Sequence, residues 1–294
     1  MFNLLHPFQV FRAVYYGLRW RSKRFLRIPD KPHNPVVGGD TTMAFDRHLR
    51  ICHLVSPILD EINFVNRTVA CEIGPGDCLA VADLFLGAGF ERVYIVEKTP
   101  ILVDTRQSSH LKRLSEAGGL PSKLDVLLGD FDCPRLNTDR VRVIPEYFEN
   151  AIIPEKVDFL FSHDVVEHVE DLPGFFSACA QYLAPGGVMV HKIDLSGHEF
   201  FEDPLPPLDF QTYPNWLYDL MFPKYRRACR WFLDEILKVA QEAGFSAPCV
   251  TLIRSAEPEY IEQIYPILRK EARMREVSQL APLDVIVTAK RDTI

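Results

Sequence analysis

From Val69 to Leu195 the chain keeps one rhythm: a short apolar run, a turn, a helical stretch, and another apolar run. "TVACEIGPG" reads as a strand ending in glycines, "CLAVADLFLGAG" as a helix stopped by Gly87 and Gly89, and "RVYIVEKTP" as a second strand. A polar helix follows over Ile101 to Ala117, and a third strand lies at either Leu124 to Leu128 or Val141 to Ile144. "VDFLFSHDVVEHV" is a fourth buried strand, "GFFSACAQYL" a helix and "GGVMVHKIDL" a fifth strand. Strands that alternate with helices need right-handed crossovers, and the parallel sheet they build is covered on both faces. The expected fold class is therefore α/β, a doubly wound, Rossmann-like sheet.

Beyond the fifth strand the rhythm breaks. "GHEFFEDPLPPLDFQTYPNW" is rich in proline and aromatic residues, too long for an ordinary connection, and placed where a lid over a ligand would sit. The helix "RWFLDEILKVAQEAGF" ends at Gly244, and two late strands, "APCVTLIRS" and "PLDVIVTAKR", flank a charged helix from Glu259 to Arg275. The expected organisation is a helical cap over 1–64, a core over 65–198, a lid insertion over 199–230 and a C-terminal completion of the sheet over 231–294.

Ahead of the core, Leu4, Phe8, Phe11, Tyr15, Leu18 and Phe25 recur at helical spacing. Arg12, Arg19, Arg21, Lys23, Arg24 and Arg27 share that segment, and Pro32 and Pro35 stop it. The helix either docks its stripe on the domain or lies on an anionic membrane as a peripheral contact. A second helix is expected from about Thr42 to Ile62.

Composition removes several function classes. A net charge of -7 gives no general attraction to polyanions, so no nucleic-acid partner is expected. Seven scattered cysteines without CxxC or Cys/His ligand spacing fit reduced thiols in a cytoplasmic protein, with no disulfide and no metal site. No run of 18 apolar residues occurs and the N-terminus lacks a secretory pattern, so neither a membrane span nor a signal peptide is expected.

The first strand-helix turn is where open α/β sheets bind ligands. Gly74 and Gly76 give it the freedom and the missing side chain that a close ligand requires. A nicotinamide dinucleotide site would place a third glycine or alanine where Leu79 stands, and Asp77 would repel a pyrophosphate. Glu72, just before the turn on a buried strand, calls for a positive partner or several donors. Glu97 closes the second strand, where an acid accepts ribose hydroxyls. A cationic nucleoside without phosphates, such as S-adenosylmethionine, suits this set.

These residues resemble the class I S-adenosylmethionine-dependent methyltransferases, especially the small-molecule group that includes quinone-biosynthesis and glycan-associated enzymes. The resemblance is carried by "ACEIGPGDCLA", "VYIVEK", "VDFLFSHDVVEHVEDL" and "YLAPGGVMVHKIDL", in family order over roughly residues 65 to 200. It implies a seven-stranded sheet with a reversed last strand and S-adenosylmethionine as cofactor. It implies further that Glu72, Gly74 and Gly76 hold the methionine end, that Glu97 holds the ribose, and that Ser162, His163 and Asp164 line the sulfonium end. After the third strand, Glu146 or Tyr147 is the candidate adenine contact.

Methyl transfer is an in-line displacement in which the protein mainly positions the acceptor and excludes water; a hydroxyl acceptor also needs a base. The candidate bases are His163, His168, His191 and His198, all just past the carboxyl ends of the fourth and fifth strands; His198 could be oriented by Asp194, and His168 in the family usually packs structurally. Tyr213, Trp216, Arg226 and Arg230 could hold a ring and an anionic group, or the aromatics could close the core. No "DPPY" or "NPPY" follows the fourth strand, which argues against DNA adenine. The expected reaction is O-methylation of a small molecule or glycan precursor. The alternatives are C-methylation of a quinone or lipid-like precursor and, from another class, an NAD-type oxidoreductase or a non-catalytic ligand binder.

Overall fold

The structure, a computed structural model, describes residues 7–26, 41–121, 123–130, 133–197, 206–222 and 227–292. Its centre is a seven-stranded sheet in the order β3-β2-β1-β4-β5-β7-β6. The strands are β1 (Val69–Ile73), β2 (Arg92–Val96), β3 (Val141–Ile144), β4 (Val157–His163), β5 (Leu183–Asp194), β6 (Phe245–Ser255) and β7 (Pro282–Arg291). β1 to β5 run parallel, and β7 lies antiparallel to both β5 and β6, which makes it the reversed strand.

Every residue of β1 is buried, as a central parallel strand requires. Its side chains alternate between two cores. Ala70 joins Phe85, Leu111 and Phe159 on one face, packed by α2 (Thr41–Glu61), α3 (Ala80–Gly87) and α4 (Thr105–Glu116). Cys71 and Ile73 join Phe175, Phe176 and Ile236 on the other, under α6 (Leu172–Tyr182) and α8 (Leu233–Glu242). Asp158 on β4 accepts from the Thr68 and Val69 amides at 2.9 and 3.0 Å and so fixes where β1 begins.

Of the two alternatives for the third strand, Val141–Ile144 pairs with β2, while Leu124–Leu128 is a short helix, α5. Leu124, Leu127 and Leu128 are all buried, on the i, i+3, i+4 spacing of one helix face, which a strand would split between its two faces. The single charged helix expected from Glu259 to Arg275 is corrected to α9 (Pro258–Ile264) followed by 3-10 turns at Tyr265–Ile267 and Ala272–Met274. Pro266 explains the break, because it has no amide hydrogen to continue the ladder and crowds the preceding turn.

A third core gathers the remaining segments. Ala13 of α1 (Pro7–Phe25), Phe210, Tyr218 and Met221 of α7 (Asn215–Met221) pack with Ile261, Leu268 and Leu280. The two N-terminal helices thus dock in different places, α2 over the sheet and α1 on α7.

Candidate functional site

The chain fills the sheet outward from β1 to β2 and β3, then returns to place β4 on the other side of β1. Strand order reverses there, and the carboxyl ends of β1 and β4 leave a crevice. Gly74 (φ 68°) and Gly76 (φ 71°) turn the chain at its floor in the left-handed region that side chains avoid. A Cβ on Gly74 would come within 2.6 Å of Val165 Cγ2, whereas one on Gly76 would meet nothing within 4 Å because it points into the opening. The cleft is about 240 Å³.

Glu72 and Glu97 open onto this same cleft. Glu72 is buried, its Oε2 has no hydrogen-bond partner among the described residues, and burial, reinforced by the charge of Glu97, pushes its carboxyl well above the usual range. Glu97 is half-buried and braces the turn, accepting from the Gly76 amide at 3.3 Å and the Thr99 amide at 2.8 Å. A carboxylate has about four lone-pair directions, so both acids keep acceptor capacity for a ligand.

At the end of β4, His163 and Asp164 also line the cleft. His163 Nδ1 is 3.1 Å from Asp164 Oδ2, and Lys192 donates to Asp164 at 2.6 Å and to Asp284 at 2.7 Å. Burial would raise the Asp164 carboxyl, but His163 and the Lys192 ammonium outweigh it and hold it well below the usual carboxylate range. Arg254 pairs with Asp284 and ends this chain of alternating charge. Ser162 sits apart, fully buried, with its hydroxyl 2.7 Å from His191 Nδ1. Burial lowers that imidazole to about 3, so a neutral pair joins β4 to β5 behind the cleft.

The sequence profile of a family described as "Methyltransferase domain" matches residues 43–249. The chain belongs to that methyltransferase-domain family. No curated protein matches it significantly. Among solved structures it is similar to Haemonchus contortus phosphoethanolamine N-methyltransferase 2, in complex with phosphomonomethylethanolamine and S-adenosylhomocysteine. Identity is 14% and the TM-score 0.47 over 83% of this chain and 52% of that one, so the chain spans about half the length of the nematode enzyme. A Mesorhizobium loti S-adenosylmethionine-dependent methyltransferase is 15% identical, with a TM-score of 0.43, over 80% of this chain and 96% of that one. Geranyl diphosphate C-methyltransferase from Streptomyces coelicolor A3(2) is 14% identical, with a TM-score of 0.43, over 82% and 80%.

Other candidate residues of this member of the methyltransferase-domain family lie away from the cleft. His168 holds its Nδ1 3.0 Å from the Arg227 carbonyl and ties the turn after β4 to the later segment. Asp194 accepts from the Ser196 amide at 2.9 Å and hydroxyl at 2.5 Å and faces Arg254 at 3.5 Å. Glu146 is exposed and accepts from the Tyr147 amide at 2.8 Å. Arg230 is buried; it donates to the Phe210 carbonyl at 3.2 Å, the Tyr213 carbonyl at 2.8 Å and the Asn215 side chain, and lies 4.2 Å over the Tyr218 ring. Tyr213 is half-buried and Trp216 is 68% exposed, and neither lines the cleft. His198 and Arg226 fall outside the described residues.

The fold brings up residues that motif reading passed over. Arg47 and His48 of α2 reach the cleft wall, and Lys192 and Asp284 support Asp164 from neighbouring strands. A lysine inside the apolar strand "GGVMVHKIDL" was the available signal for the last pair. His48, Cys78 and His110 bring ligand atoms within 4.8 Å of one another, although the cysteine spacing argues against a metal. His48 Nδ1 and His110 Nε2 are 2.8 Å apart. Two nitrogens on one tetrahedral zinc at ~2.0–2.1 Å would stand about 3.3 Å apart, so this is the distance of a hydrogen bond between rings.

Proposed function

We propose that this S-adenosylmethionine-dependent methyltransferase methylates an oxygen of a small molecule or glycan precursor. The observation that carries the cofactor reading is the unmatched, buried oxygen of Glu72 in a cleft shared with Glu97. A buried acceptor without a donor costs about 1–3 kcal/mol, and an ammonium group removes that cost. A pyrophosphate brings only acceptors and negative charge to the same wall, which argues against a dinucleotide. The open space at the Gly76 Cβ position gives a ligand close approach to the backbone. In this reading Glu72 takes the ammonium, Arg47 the carboxylate and Glu97 the ribose hydroxyls. Bound S-adenosylmethionine supplies an electrophilic methyl on a sulfonium.

The choice of oxygen rests on a base. Of the two histidines on the cleft wall, His48 is held at about 3 by burial and by His110, too weak to take a hydroxyl proton. His163 stands with Nδ1 3.1 Å from Asp164 Oδ2, without hydrogen-bond geometry, and is the imidazole on this wall placed to accept the proton, while Lys192 keeps Asp164 ionised. A carbon acceptor gives up its proton only after the new carbon–carbon bond has formed and so asks less of a base at the transfer step, and His198 is the rival position for the base. Acceptor-dependent turnover of His163→Gln should fall roughly a hundredfold, with S-adenosylhomocysteine affinity kept within about threefold by calorimetry and NADH unbound. Turnover kept in His163→Gln but lost in His198→Ala moves the base to His198, and turnover kept in both favours carbon methylation. Tight NADH binding without S-adenosylhomocysteine binding ends the cofactor reading.

A further inference from the structure

We propose that the outward face of α1 seats this protein on an anionic lipid bilayer. α1 is held to the molecule along one side. Ala13 is buried there, and Gly17 packs so closely on α7 that a Cβ would meet the carbonyl oxygens of Leu220 and Met221. Arg21 donates to the Leu220 carbonyl at 2.8 Å and to that of Asp219, closing the C-terminal end of α7. At about 100° per residue, Phe11, Tyr15, Leu18 and Phe25 fall on a different face, turned away from α7. They are 70%, 55%, 49% and 86% exposed, and Leu26 beside them is 64% exposed. So dense a row of large apolar side chains in water marks a contact surface rather than ordinary scatter.

Charge selects the occupant. Arg12 and Arg19 are exposed along one border of the row, and α1 contains no acidic residue although the chain as a whole carries -7. A partner must therefore offer apolar depth with negative charge at its rim, as acyl chains beneath anionic headgroups do. A second copy of α1 would set these arginines against their like. No helix among the described residues is long and apolar enough to cross a membrane, so α1 would lie in the surface plane. The seat does not depend on the methyl-transfer reading, and it joins the bilayer to α7, in the segment that follows β5 in the chain.

The test is flotation of the full chain with vesicles of phosphatidylcholine alone or with about 30% phosphatidylglycerol. We expect recovery with the anionic vesicles only, released by added salt. Phe11→Ser/Leu18→Ser/Phe25→Ser and Arg12→Glu/Arg19→Glu should each cut the bound fraction roughly tenfold or more with an unchanged melting temperature. Failure of the parent chain to float, or equal recovery of parent and both folded variants, overturns the proposal. So does a dimer, seen by light scattering, that the triple serine variant dissolves, since that gives the face to a second copy.

Discussion

Glu72 keeps one carboxyl oxygen buried without a donor among the described residues, and this makes its cost readable as a function of pH. Its folded pKa lies above the ordinary 4.5, so the folded state holds its proton while the unfolded state releases it. Stability of the cofactor-free protein is therefore fullest below 4.5 and declines as pH rises from there toward the folded value. Glu72→Gln removes the decline. In thermal melts without cofactor, the variant should gain progressively on the parent as pH rises above about 4.5, while its affinity for S-adenosylmethionine falls roughly tenfold or more. An affinity equal to the parent's would take Glu72 out of the cofactor site. Asp83, buried and raised to about 7, adds to the same slope, so the difference between the two proteins is the quantity to follow.

At the scale of elements, the β1–α3 turn separates two glycine functions. Gly74→Ala places a methyl against Val165 in a left-handed backbone, whereas Gly76→Ala bears the backbone strain alone. Strain of this kind costs about 1–2 kcal/mol per residue. Denaturant titration should show Gly74→Ala as the more destabilised, and Val165→Ala should return part of its loss in a double-mutant cycle. Strict additivity of the pair would mean that the steric contact is absent. Gly76→Ala should mainly weaken cofactor binding. The turn could be read from "EIGPG" because a strand, an acid and two glycines are local signals. The third strand could not, because Leu124–Leu128 and Val141–Ile144 are both short apolar runs, and only pairing with β2 distinguishes them.

Across the whole molecule, the two halves of the doubly wound sheet share one cleft, while a third core ties α1, α7 and the C-terminal helices together. Gly17 is the hinge pin of that third core. Gly17→Leu should free α1 from α7, expose the 7–26 segment to limited proteolysis and leave the cleft's affinity for S-adenosylhomocysteine intact; unchanged protease resistance would show that α1 does not depend on this contact. Periodicity, glycine placement and the acids of the first turn were enough to determine the doubly wound fold, its reversed strand by family likeness, and that Glu72, Gly74, Gly76 and Glu97 stand together at one cleft. All of these rest on neighbours in sequence or on strand rhythm. Tertiary structure alone decided that Ser162 pairs inward with His191, that Arg230 is spent on carbonyls of its own segment, and that Lys192 and Asp284 converge on Asp164. Those outcomes depend on which strands lie side by side and on which way each side chain points, and burial then makes every polar group find whatever partner the packing has brought within reach.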